Sequence, residues 1–159
     1  MKKIILFAIC GILWIGCSRP SAADKYRAEK HVRDSVSLIA QERSLEYYQS
    51  QLETLMPEAD SLLALFKYER NEKYQDHGYY VTNGQNGLRI LVRDDGKDLL
   101  LYRNGKRIPT TSDGLQGKDK DMYDRAEHLK IVISDIRELE KRIAHTSLEI
   151  QKYQRRLEK

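Results

Sequence analysis

The feature that most constrains this chain is a long apolar seam near its C terminus. Its members recur at alternating steps of three and four residues after a first step of seven. This spacing averages about 3.5 residues, which predicts a helix that buries one narrow seam against another helix. A helix of this length cannot bury its seam alone, so a partner helix is expected. The seam consists of Met122, Leu129, Val132, Ile136, Leu139, Ile143, Thr146, Ile150, Tyr153 and Leu157.

A second seam with the same spacing lies upstream and is predicted to be the partner. If the chain doubles back, the two seams pair in antiparallel order, which brings Ala59 near Ile136 and Leu38 near Leu157. We interpret the pattern as one helical hairpin. The alternative is that the same seams pair between two chains and form a homodimer. The upstream seam consists of Leu38, Leu45, Tyr48, Leu52, Leu55, Ala59, Leu62 and Phe66.

The first helix is predicted to run from Asp24 to Lys73, because no glycine interrupts this stretch. Either Ser21 or Asp24 is expected to cap its start. Pro57 is expected to kink or break the helix near Thr54, because a proline inside a helix removes one hydrogen bond and costs about 3 kcal/mol.

Between the two helices the apolar period changes to two, which predicts antiparallel strands. The strand signals cover residues 79–82, 88–92, 99–103 and 106–108, and Asn104-Gly105 is a strong hairpin turn. Such a small sheet needs a second layer to cover its inner face. Apolar helix residues outside the seams are expected to supply that layer, namely Leu63, Leu65, Ile131 and Ile133. The second helix is expected to start at a cap near Asp119 or Asp121.

The N terminus carries the pattern of an export signal. Two lysines precede an apolar run from Ile4 to Ile15, which is shorter than the roughly 20 residues that span a bilayer. The run ends at Gly16-Cys17, and the chain turns polar at Ser18. These residues resemble a bacterial lipoprotein signal, which implies cleavage before Cys17 and attachment of a lipid to its thiol. An aspartate directly after the cysteine would resemble a signal for retention in the inner membrane, and Ser18 stands there instead. The resemblance therefore implies sorting to the outer membrane, with the protein facing the periplasm.

These patterns together predict an α+β fold. Two long helices form an antiparallel coiled-coil hairpin, and a three- to four-stranded antiparallel β-meander at about residues 79–109 is inserted at its tip. In layout alone, this resembles the coiled-coil arms of prefoldin-type chaperones. The run from Phe66 to Tyr80 also resembles small lipoproteins of Bacteroidota, which implies no particular activity. The chain is expected to divide into a cleaved signal peptide (1–16), a lipid anchor and partly helical tether (17–35), and the hairpin (36–159).

Composition and motifs argue against several functional classes. Charged residues make up 33% of the chain and aromatic residues 8%, which suits long solvated helices better than a compact enzyme. Removing the two N-terminal lysines from the 28 basic residues leaves 26 against 24 acidic residues, a balance that gives no reason to expect nucleic-acid binding. Both cysteines lie in the N-terminal segment and the four histidines lack ligand spacing. We therefore expect no metal, no cofactor and no catalysis.

Tyrosine and arginine are concentrated in the predicted meander. These two residue types dominate the energetic hot spots of protein interfaces. We therefore expect a lipid-anchored cell-envelope protein that acts as a non-catalytic structural or interaction module and binds a protein or polymer partner through its β tip. The alternative is a periplasmic holdase-like chaperone that uses the coiled-coil groove. The predicted partner-binding residues are Tyr79, Tyr80, Arg89, Arg93, Tyr102 and Arg103.

Overall fold

The computed structural model describes residues 21–70 and 77–158 and shows an α+β fold. Its five strands form one antiparallel meander in the order β1-β2-β3-β4-β5. The fold class, the two long helices and the meander are thereby confirmed. The elements are α1 (Ala22–Leu63), β1 (Lys67–Arg70), β2 (Gly78–Asn83), β3 (Leu88–Arg93), β4 (Leu99–Arg103), β5 (Lys106–Ile108) and α2 (Lys118–Leu157).

The predicted signal peptide (1–16) and Cys17 lie outside the described residues, so the lipidated anchor stays a prediction. Neither helix of the described ranges has the length and apolar character needed to cross a membrane.

Strand β1 corrects the predicted end of the first helix. The sequence predicts helix as far as Lys73, whereas α1 ends at Leu63 and β1 pairs with β2 at the edge of the sheet. The amide of Phe66 donates to the carbonyl of Leu63 at 2.8 Å, and the Phe66 side chain packs against the core of the sheet. The meander therefore has five strands instead of three or four, and it begins at Lys67 instead of near residue 79.

Helix α1 starts as predicted at Ser21 but is not broken by proline. The Ser21 hydroxyl accepts a hydrogen bond from the Asp24 amide at 3.1 Å, and the Asp24 carboxylate accepts one from the Ser21 amide at 3.2 Å. Of the kink or break predicted near Thr54 to Pro57, the break is wrong, because α1 continues through Pro57 to Leu63, and the kink stays a prediction. Pro57 and Glu53 are exposed. Water can therefore reach the Glu53 carbonyl, which lacks its helical donor.

Helices α1 and α2 are antiparallel, as two ion pairs between them show. Near the sheet, His128 Nε2 lies 2.9 Å from Glu58 Oε1. At the far end, Arg156 Nη1 lies 4.0 Å from Asp34 Oδ1. Every predicted seam position is buried or half-buried. The two seams therefore face each other within one chain, and the predicted proximity of Ala59 and Ile136 is confirmed by their shared buried cluster.

The sheet packs beside the first half of α2. The core between sheet and helix extends along α2 as far as Ile133, so the sheet covers the side of the helix over this half. Leu63 and Ile133 contribute to this core as predicted. Leu65 and Ile131 do not, since they are 55% and 49% exposed. The core residues are Leu88, Ile90, Val92, Leu99, Leu101, Leu115, Tyr123, Ala126, Leu129 and Ile133.

Two turns of the meander are fixed directly onto α2. In the β2–β3 turn, the Gln85 amide donates to Asp119 Oδ1 at 2.6 Å. In the β3–β4 turn, Gly96 has a φ of +72°, and a Cβ at this position would lie 2.5 Å from the Ser134 amide nitrogen. This close approach of the two backbones and the positive φ both require glycine.

The start of α2 differs from the prediction. Its N-cap is Gly117, two residues before Asp119, and it has no side chain to bond the first amides, so the cap lies near the predicted place but neither aspartate is the cap residue. Asp119 lies inside the first turn and is only 6% exposed. Its carboxylate accepts from Gln85, and the same carboxylate is placed favourably near the positive end of the helix dipole.

The first twelve residues of α1 are fully exposed. Residues 22–33 have no buried or half-buried member, and Asp34, the first buried residue of α1, forms an ion pair with Arg156 of α2. Helix was predicted for part of residues 18–35 and is present from Ala22, while the role of this stretch as a tether stays a prediction.

Candidate functional site

The candidate site is the face of the sheet that points away from the helices. Successive residues of a strand point to opposite faces, so the buried Ile90, Val92 and Leu101 define an inner face against α2. We call the opposite side the outer face. The strand register aligns its residues in rows. Its members include Tyr79, Arg89, Leu91, Arg93, Leu100, Tyr102 and Arg107.

The structure brings together four of the six predicted partner-binding residues. Tyr79, Arg89, Arg93 and Tyr102 share the outer face, but Tyr79 is only 8% exposed and offers little surface to a partner. The other two lie on the inner face, because Tyr80 is paired with Val92 and Arg103 with Leu88 in the strand register. The alternation of side chains along a strand separates each from its neighbour in sequence.

The contacts of Tyr80 and Arg103 indicate structural roles in the inner face of the sheet. The Tyr80 ring packs against the core and lies 5.4 Å from the ring of Tyr68. Burial raises the pKa of Tyr80, while the nearby Arg137 charge acts in the opposite direction. Arg103 is half-buried, and its Nε has no hydrogen-bond partner among the described residues.

One row across the outer face consists of an arginine, a tyrosine and a second arginine. Arg89 is paired with Tyr102 and Tyr102 with Arg107, on three neighbouring strands. Arg89 also forms an ion pair with Glu69 of β1, and the two side chains are 46% and 50% exposed. In the described part of the chain Arg107 makes no ion pair, although it is exposed. The row therefore presents an aromatic ring between two exposed guanidinium groups.

Arg93 is held more firmly than the other arginines of the outer face. Its Nη1 donates to Asp98 at 3.0 Å, and its Nε lies 3.2 Å from Asp95 Oδ2 without hydrogen-bond geometry. The hydrogen bond to Asp98 raises the pKa of Arg93. Because its side chain is only 23% exposed, Arg93 mainly connects the strand to the β3–β4 turn.

Two open depressions lie on the outer face. The larger has a volume of about 530 Å³ and includes Arg89, Leu91 and Tyr102. The smaller has a volume of about 250 Å³ and includes Leu100 and Arg107. Leu91 and Leu100 are paired in the register, so the two depressions adjoin along one strip of surface. The larger falls within the range of roughly 300–1,000 Å³ that is usual for small-ligand sites.

Positive charge is concentrated in the sheet. Residues 67–70 and 77–108 contain eight Lys or Arg and four Asp or Glu, a net charge of +4. The two helices contain 15 basic and 16 acidic residues and are nearly neutral. The sheet therefore offers an electrostatic preference for acidic groups. Within the ranges 21–70 and 77–158, no group of three or more His, Cys, Asp or Glu side chains is arranged to hold a metal ion.

Comparison with family models, with curated proteins and with solved structures returns no match. The function must therefore be inferred from the geometry and chemistry of the chain itself.

Part of the outer face was not predicted from the sequence. Arg107 belongs to the arginines concentrated in the meander but is not among the six predicted partner-binding residues, although it is paired with Tyr102. Leu91 and Leu100 were also left out. The unbroken apolar run 99–101 was the available signal, because it places apolar side chains on both faces of one strand.

Proposed function

We propose that this chain is a lipid-anchored interaction module of the cell envelope that binds an acidic partner through its outer face. The partner is a protein or an envelope polymer, and no catalysis is involved. The observation that carries the proposal is the row of Arg89, Tyr102 and Arg107 on a face against which no helix of the described residues packs.

The chemistry of this row suits binding of an acidic surface. A guanidinium can donate two parallel hydrogen bonds to one carboxylate or phosphate, and a tyrosine ring supplies rigid contact area at little entropic cost. Leu91 and Leu100 add half-buried apolar surface beside the row. The net charge of +4 on the sheet adds an attraction that weakens with salt.

The N-terminal part of the proposal depends on Cys17 and on α1. A lipid on Cys17 would hold the chain at a membrane. The proposed location is the outer membrane, with the protein on the periplasmic side. The exposed stretch 22–33 would then act as a tether of about 18 Å, at 1.5 Å per helical residue. We also propose that α1 and α2 form an antiparallel coiled coil, which the burial of both seams supports.

The alternative of a holdase-like chaperone has weaker support. The depression between the helices is lined mostly by polar and charged side chains, including Glu138, Lys141 and Arg142. The depression is also small and open, so it offers little apolar area to an unfolded client.

The test is chemical crosslinking in intact bacteria that produce the full chain, followed by mass spectrometry of the adducts. Four forms are compared: wild type, Cys17→Ser, the double variant Tyr102→Ala/Arg107→Ala, and a matched control. The control is Tyr26→Ala/Arg155→Ala, which removes an exposed tyrosine and an exposed arginine of the helices.

We expect one recurrent adduct in the wild type and in the control. It should be lost in the outer-face variant and weakened in Cys17→Ser, because the anchor raises the local concentration of the partner. Equal capture by the outer-face variant would contradict the proposed site. Many unrelated client proteins in place of one recurrent adduct would favour the chaperone.

A further inference from the structure

A short apolar stripe of α1 lies on the side opposite to α2. Val32, Val36 and Ile39 are 62%, 62% and 49% exposed, and they recur at steps of four and three residues. Val36 lies nine residues from the seam residue Leu45, which is two and a half helical turns, so the two point in opposite directions. A stripe of this kind normally faces another helix.

Charged residues continue the stripe at both ends with the same spacing. Lys25 and Glu29 precede Val32, and Arg43 and Glu46 follow Ile39. All four charged side chains are exposed. Within residues 21–70 and 77–158, none of the ion pairs uses them. We call the set of seven the α1 stripe; it consists of Lys25, Glu29, Val32, Val36, Ile39, Arg43 and Glu46.

The α1 stripe is complementary to itself when it is reversed. If a second copy runs antiparallel with a two-fold axis at Val36, then Glu29 lies opposite Arg43 of the partner subunit, and Lys25 lies within one residue, or about 1.5 Å, of the level of Glu46 of the partner subunit. Val32 likewise lies within one residue of the level of Ile39 of the partner subunit. Every layer pairs opposite charges or two apolar side chains, and the pairing is the same in both directions, as a two-fold interface requires.

We propose that two copies of this chain associate through the α1 stripe as an antiparallel homodimer. This interface differs from a homodimer through the seams, because the seams are buried within each chain. The two helices also have room to pair. The partner's helix begins opposite Ser50 of the first chain, before the level of Leu62, where α1 starts to pack against the core of the sheet.

The proposed dimer has a geometric consequence. Its two Ala22 residues lie about 42 Å apart at opposite ends of the helix pair, at 1.5 Å per residue. If both chains carry a lipid near this end, they reach one membrane only when the helix pair lies along its surface. The outer face of each sheet is separate from the stripe, so dimerisation and partner binding are independent.

The test is sedimentation equilibrium of the full chain in density-matched detergent, over roughly 5–200 µM, where small interfaces associate. Glu29→Arg and Arg43→Glu each place like charges at two symmetric positions, so each should weaken dimerisation at least about tenfold. The double swap Glu29→Arg/Arg43→Glu restores opposite charges and should restore the dimer. Val36→Asp should abolish it, while Leu148→Asp, at an exposed apolar residue of α2, should not.

A monomeric wild type over this range would overturn the proposal. So would a double swap that is no better than the single swaps, because rescue is specific to the predicted pairing. If the wild type is monomeric and Val36→Asp instead reduces binding to vesicles of anionic lipid, the stripe belongs to a membrane surface and the proposal also fails. Circular dichroism of every variant verifies that α1 is still helical.

Discussion

The two halves of α2 share one seam but differ in how deeply they are buried. In the first half, six apolar side chains are buried between α1 and the sheet: Tyr123, Ala126, Leu129, Val132, Ile133 and Ile136. In the second half only Ile150 among the apolar side chains is buried, together with the polar Thr146. The periodicity of a seam therefore predicts which side of a helix is covered. How much apolar surface is buried depends on the sheet.

This difference assigns separate roles to the two halves. Burial of apolar surface contributes about 25 cal/mol per Å², so the half beside the sheet should contain most of the stability. The other half is a two-helix arm with a narrow interface. The candidate binding face thus lies on the stable half, and the tether lies on the arm.

The largest expected effect compares one seam residue from each half. Leu129 is 0% exposed in the core, so Leu129→Ala should lower the free energy of unfolding by about 3–5 kcal/mol. Ile143 is half-buried in the arm, so Ile143→Ala should lower it by about 1 kcal/mol. Urea unfolding of the full chain measures both. Equal losses would show that the arm is as important to stability as the sheet side.

The contact between the β3–β4 turn and α2 can be tested with two glycines of the meander. Gly96→Ala should destabilise by about 3 kcal/mol, because the methyl group would meet the Ser134 backbone and φ is positive. Gly105 has a φ of +76°, but an added methyl group there would have no neighbour within 4 Å, so Gly105→Ala should lose only about 1 kcal/mol. Urea unfolding gives both values, and similar losses would mean that the turn is not pressed against the helix.

The contact between the β2–β3 turn and α2 can be tested at Asp119. Asp121, in the same turn of the helix, serves as the control. Asp119→Ala should cost about 2 kcal/mol, since it leaves the Gln85 amide without its charged acceptor. Asp121 is exposed, so Asp121→Ala should lose only its interaction with the helix dipole, about 0.5 kcal/mol. Thermal unfolding at low salt measures the difference. If Asp121→Ala proves the more harmful, the proposed role of Asp119 is wrong.

The smallest expected effect appears at high pH. Burial raises the pKa of Tyr80 and of Tyr123 above the ordinary value near 10. Their contribution to stability is therefore complete below pH 10 and is lost as the pH rises through the raised pKa of the folded state. The double variant Tyr80→Phe/Tyr123→Phe should lose less stability than the wild type between about pH 9 and pH 11. Tyr47→Phe, at an exposed tyrosine, is the control and should follow the wild type.

The sequence predicted the helices better than the sheet, for physical reasons. Both seams are repeated over several turns, so an error at one position does not change the assignment. Strand β1 has four exposed residues and no alternation, and its extended form depends on pairing with β2. Local sequence could not reveal that pairing.

The candidate site was predicted in part. Composition directed attention to the Tyr and Arg residues of the meander, but composition does not distinguish the two faces of a strand. Strict alternation would have separated Tyr79 from Tyr80 and Tyr102 from Arg103. The depth of burial of Asp119 could not be predicted, because it depends on a turn 34 residues away in sequence.

The most direct test of the division of α2 into two halves is native-state hydrogen exchange on the full chain, read by mass spectrometry of overlapping peptides. We expect amides of residues 123–136 and of β3 to exchange only through global unfolding. At protein concentrations below those of the proposed dimer, amides of 144–157 and of 22–45 should exchange through local opening at a clearly lower free energy. Uniform protection along α2 would contradict this division, because it would mean that the arm and the sheet-covered half unfold as one unit.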